Sequence, residues 1–93
     1  MSITGNNTTV SQHGPNTCVT LHATDVVTFD SESVILRTAG WYTVTTKRRM
    51  NEASEHFGLG FRVIQRNHEW RVVFADGRAD QPFGRGGWVY FRR

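Results

Sequence analysis

Between positions 41 and 49 the chain gathers aromatic planes, hydroxyls and cations: Trp41, Tyr42, Thr43, Thr45, Thr46, Lys47, Arg48 and Arg49. Such a set is suited to holding a phosphorylated group. Threonine hydroxyls and the free N–H groups of a helix start bond phosphate oxygens, guanidinium and ammonium groups balance the charge, and Trp41 gives a face on which a base can stack. The hydropathy pattern places Lys47, Arg48 and Arg49 in the first turn of a helix, where the backbone already presents about half a positive charge. An anion would relieve that conflict. A structural explanation competes with it: Trp41 as a core residue pinning the loop, the threonines as caps, and Arg48 paired with Glu52 four residues on. The Gly-x-x-x-x-Gly-Lys-[Ser/Thr] spacing of a P-loop does not occur.

Two more groups of arginines bear on the same chemistry. Arg78 and Arg85 stand in a stretch, 76–87, that carries Gly77, Pro82, Gly84, Gly86 and Gly87, so the loop could fold over a ligand or serve as a plain surface linker. Arg62, Arg66 and Arg71 could extend a basic strip or form the solvent side of a half-buried sheet. Catalytic and metal chemistry find little footing. Cys18 and His22 would stand about 13 Å apart along a strand, too far to share a metal, and His13, His56 and His68 lie in separate segments. The expectation is a binding protein that is not an enzyme and uses no cofactor or metal.

Composition points the same way. The formal charge is +3, from 11 Lys and Arg against 8 Asp and Glu. It is unevenly spread: residues 1–46 hold Arg37 against Asp25, Asp30 and Glu32, and residues 47–93 hold every other cation. An anion would therefore be bound by the C-terminal half. Lys47 is the single lysine among the cations, which favours forked recognition of phosphate or carboxylate, although a GC-rich genome produces the same bias. Cys18 is the sole cysteine, so no disulfide can form within one chain. The first ten residues lack the apolar run of a signal peptide, and no run approaches the length of a membrane span. Asn6 and Asn7 each open an Asn-x-Thr pattern, a chance match in a chain expected in a reducing cytosol.

The elements that must carry these residues read as one domain over 1–93. A polar segment, 1–16, holds at most a weak strand near 8–12, ended by Gly14-Pro15-Asn16. Residues 18–22 and 25–29 alternate as a hairpin, and 34–36 form a third strand stopped by Thr38-Ala39-Gly40. Met50, Ala53 and Phe57 make an apolar stripe at i, i+3 and i+7, predicting a helix over about residues 46–57. Thr45 or Thr46 would cap its start and Gly58 its end, with Arg48, Asn51, Glu52 and Glu55 facing away. Residues 61–64 and 70–74 flank a polar turn as a second hairpin, and 88–91 form a short last strand. The predicted fold is α+β: a small antiparallel β-sheet domain built from two hairpin layers, with the helix packed on the sheet. A homo-oligomer would add burial to so short a chain.

Gly40-Trp41-Tyr42-Thr43-Val44-Thr45-Thr46-Lys47-Arg48-Arg49-Met50-Asn51, followed by Phe57-Gly58-Leu59-Gly60-Phe61, resembles a widespread family of small bacteriophage proteins. These share a Gly-[Trp/Tyr]-x-Thr-x-Thr-Thr-[Lys/Arg]-x-Arg-[Met/Ile]-Asn core, and the resemblance spans residues 17–75. It lends no activity. It implies a setting, the cytoplasm of an infected bacterium, where capture of a nucleotide or nucleotide second messenger would counter host defence. A nucleic-acid-binding module on the basic half and an inhibitor that blocks a host protein are the alternatives.

Overall fold

The computed structural model describes residues 7–93; the signal-peptide reading of the first residues and the Asn6 pattern lie largely outside that range. Among the described residues, one α-helix and two antiparallel sheets make the predicted α+β domain. The first sheet runs β1 (Thr8–His13), β2 (Asn16–Leu21), β3 (Thr24–Phe29) and β4 (Ser33–Arg37), each pairing with the next. The chain then passes through α1 (Val44–Phe57) into β5 (Phe61–Arg66), β6 (Glu69–Phe74) and a two-residue β7 (Gln81–Pro82), which form the second sheet. It returns as β8 (Trp88–Arg92), the fifth strand of the first sheet, beside β4.

Turn chemistry explains where the hairpins are sharper than the sequence pattern indicated. Gly14, at φ +60°, precedes Pro15 in a two-residue connection that pairs His13 with Asn16. Glycine adopts that angle without strain, so the supposed end of a weak strand is the hinge of a full hairpin. Asn67 and His68 both take positive φ, +52° and +65°, which is the two-residue turn that follows the natural twist of a hairpin. β5 and β6 therefore extend to Arg66 and Glu69.

The core lies between the sheets and the helix. Val19, Leu21, Val27, Val34, Leu36, Val89 and Phe91 come from the first sheet, Phe61, Val63, Trp70 and Val72 from the second, and Met50 and Ala53 from α1. A bulge between Val19 and Thr20 of β2 leaves Val26 unpaired on β3, and Val26 and Val27 are both buried. Phe91 links the sheets by edge-on contact with Phe61 and Phe74.

The helix is fastened to β5 by its polar side chains as well as by its apolar stripe. Asn51 Nδ2 donates to the Val63 carbonyl and Oδ1 accepts from the Val63 N–H, at 3.1 and 2.7 Å. One turn on, Ser54 Oγ does the same with Phe61, donating at 2.6 Å and accepting at 3.1 Å. Asn51 thus turns inward, where helical periodicity alone had placed it with the outward residues. These two side chains take the part of a neighbouring strand along the outer edge of β5.

Candidate functional site

The helix start differs from expectation in a way that matters for charge. Thr43, not Thr45 or Thr46, is the cap: its backbone is extended and its Oγ1 accepts from the Thr46 N–H at 3.1 Å. The first turn is then Val44, Thr45 and Thr46, which carry no charge, and Lys47, Arg48 and Arg49 fall in the second. The dipole effect fades within the first turn, so the inferred clash of cations with a positive terminus is largely absent. The first-turn N–H groups of Val44 and Thr45 have no hydrogen-bond partner among the described residues.

The cations themselves separate. Arg49 is buried; its Nε donates to Thr8 Oγ1 at 3.0 Å, and its Nη1 meets Glu52 Oε1 at 2.8 Å. Glu52 thus pairs three residues back with Arg49, not four back with Arg48, which is exposed. Lys47 Nζ lies 6.0 Å from the centre of the Trp70 ring, and the Tyr42 and Trp70 rings meet in a T-shaped contact with centres 5.1 Å apart.

What does assemble at the helix start is a groove of about 620 Å³, within the range of small-molecule sites. Trp41, Thr43, Thr45 and Thr46 line one side; Leu21, His22, Ala23, Thr24 and Val26, at the β2–β3 turn, line the other, with Thr38 between. Trp41 is 66% exposed, so it is no core residue. Its backbone N–H donates to the Thr38 carbonyl at 2.9 Å, and the Thr38 N–H donates to Gly87 at 2.8 Å. The Thr43 and Thr46 hydroxyls bond one another at 3.0 Å, which leaves the exposed Thr45 hydroxyl without a partner among the described residues. His22 and the β2–β3 wall carried no signal of their own, because only the folded turn brings residues 21–26 to positions 41–46.

The remaining arginines lie elsewhere. Arg78 Nε donates to both Asp76 carboxylate oxygens, its Nη1 donates to the Arg92 carbonyl at 2.6 Å, and its guanidinium lies 4.4 Å from the centre of the Phe74 ring. It is tied down rather than poised over the groove. Arg85 is exposed in the turn between Gly84 and Gly87 and does not line the groove. Arg71 bonds Asp80 at 2.6 Å and also Glu69, and Arg66 lies 3.7 Å from Asp80. The Arg71 bond holds the Asp80 carboxyl below its usual range, so this corner of the basic strip is balanced by its own carboxylates. Cys18 is buried with its thiol 3.7 Å from Thr28 Oγ1, while His22 sits in a turn at φ +57°.

An α+β domain of two small sheets with a groove at the head of α1 is the class of protein that this geometry defines. The model of the Kyanoviridae Gp96 protein family matches residues 2–90, and the chain belongs to that family of bacteriophage proteins. No curated protein and no solved structure matches it. Among the described residues no helix is long and apolar enough to cross a membrane.

Proposed function

We propose that the protein is a non-catalytic binder of a small phosphorylated ligand carrying a flat ring, a nucleotide or nucleotide second messenger. The observation that carries this reading is the groove at the helix start. At one end the first-turn N–H groups and the Thr45 hydroxyl would meet an anion, and the exposed Trp41 ring offers a stacking plane at its rim. Leu21 and Val26 give the ring an apolar floor. Lys47 stands one turn along the helix and adds positive potential without direct contact, whereas Arg49, held by Glu52, takes no part. In an infected bacterial cell, a capture protein of this kind would remove a nucleotide signal of host defence from circulation.

Native mass spectrometry of protein purified from infected cells tests the reading. A co-purifying phosphorylated small molecule is expected, retained by the parent chain and lost from Trp41→Ala and Thr45→Val. Protein that emerges empty, and that calorimetry shows to bind none of a panel of mono-, di-, tri- and cyclic nucleotides, would end it.

A further inference from the structure

The face of the first sheet turned away from the helix carries a second arrangement of rings and cations. Along β8, Val89 and Phe91 point into the core at 3% and 4% exposure, while Trp88 and Tyr90 point outward at 52% and 44%. Alternation puts Arg92 on the outward face with them. Across on β4, Arg37 stands opposite Trp88, Ile35 opposite Tyr90 and Ser33 opposite Arg92. The patch is therefore two aromatic planes about 6.7 Å apart along the strand, with a half-buried Ile35 beside them and a guanidinium at each end.

Strand addition does not account for these rings. Every carbonyl that β8 turns toward its outer edge is already taken: Trp88 by the Gly84 N–H at 2.9 Å, Tyr90 by Gln81 Nε2 at 3.0 Å, and Arg92 by Arg78 Nη1. The flat face stays open beside this edge, and its charge is positive. Arg37 has no partner among the described residues, and Glu32, the acid beside the patch, lies a loose 3.4 Å from Arg92. Two rings too far apart to stack on each other, between two cations, fit splayed bases joined by phosphates.

We propose that this face binds single-stranded nucleic acid, with Trp88 and Tyr90 each stacking one base and Arg37 and Arg92 contacting the phosphates. A duplex hides its bases and would gain only the charge contacts. The site is separate from the groove, which none of these residues lines, so either can fail alone.

Fluorescence anisotropy of a labelled ten-nucleotide oligothymidine, titrated with the full chain between about 50 and 200 mM salt, is the test. Binding at low salt is expected, weakened about fivefold or more by Trp88→Ala and by Tyr90→Ala and largely restored in Trp88→Phe. Arg37→Ala should lower the salt slope by about one, and Trp41→Ala should change nothing. Circular dichroism of each variant establishes that it is folded, which the exposure of both rings favours. Absence of binding at low salt, equal affinity for a labelled duplex, or indifference to the double Trp88→Ala, Tyr90→Ala change would overturn the proposal, as would binding that depends on Trp41.

Discussion

Replacing Gly87 with alanine should damage the protein more than any other glycine change in the loop, because two separate costs meet there. Gly87 has φ +76°, where a residue with a Cβ loses roughly 1–2 kcal/mol. A Cβ built on it would also stand 2.2 Å from Thr38 Oγ1 and 2.9 Å from the Tyr42 hydroxyl. Tyr42 can yield, being the far end of a long side chain. Thr38 cannot: it is 1% exposed, and its hydroxyl accepts from the Gly40 N–H at 3.2 Å. Overpacking of this kind adds about 1–3 kcal/mol, for a total of about 2–5 kcal/mol. Gly77 is the control, since it has φ +86° and nothing within 4 Å of its virtual Cβ. Gly77→Ala should therefore show the backbone cost alone.

Urea denaturation followed by circular dichroism gives both stabilities, and at about 4–8 °C per kcal/mol the difference is also visible in melting temperature. Thr38→Ala removes the obstructing oxygen. The Gly87→Ala, Thr38→Ala double change should accordingly be less damaging than the sum of its parts, by about 1 kcal/mol or more. The readout extends to function, because Thr38 lines the groove and its carbonyl holds the Trp41 backbone. If Gly87→Ala is no worse than Gly77→Ala, and adds simply to Thr38→Ala, the close approach of the β8 entry to the groove wall is not what the geometry says.

Asn51→Ala should cost about 1–3 kcal/mol by stranding the Val63 backbone groups, and amide exchange should show Val63 losing protection while the helix amides keep theirs. Acid should weaken the fold through three carboxyls held below their usual range: Asp30 by the Glu32 and Ser33 backbone N–H groups, Asp76 by that of Arg78, and Asp80 by the Arg71 side chain. Their stabilisation is complete above the unfolded value of about 3.9 and is lost as pH falls from there through the lower folded values; a urea midpoint that is flat down to about pH 4 and then drops is expected, with a shallower drop in Asp30→Asn.

Much of the fold was legible because periodicity and turn residues are local signals. The β2–β3 hairpin, the helix and its Gly58 cap needed only alternation, the Met50–Ala53–Phe57 stripe and a left-handed glycine. The helix start was misplaced by two residues because Val44, 67% exposed, interrupts the apolar stripe, while Thr43, Thr45 and Thr46 are equivalent as candidate caps in sequence. That small slip carried the electrostatic argument with it, since two residues decide whether a cation lies in the first turn or the second. Of the site, Trp41 and the threonines were visible, but the opposite wall at residues 21–26 is long-range and left no trace. Glu52 equally had no local mark to show that it would choose Arg49 over Arg48.

The glycine-rich stretch 76–87 shows why a loop composition alone cannot assign a role. Its length and its arginines suggested a lid, yet each feature has a task at a sheet edge. Gly84, Gln81 and Arg78 cap the outward carbonyls of β8, and Pro82, lacking an N–H, helps to end the second sheet at β7. Asn51 and Ser54 close the edge of β5 in the same manner. The outward carbonyls of β8 and the Phe61 and Val63 backbone groups of β5 are thus satisfied by the chain's own groups, one way a small β-rich protein avoids pairing with its neighbours. Against that background the bare rings of Trp88 and Tyr90 stand out as a surface that folding leaves unused. Arg78 belongs to the first kind of surface and Arg37 to the second, a distinction that neither residue's type nor its place in the sequence reveals.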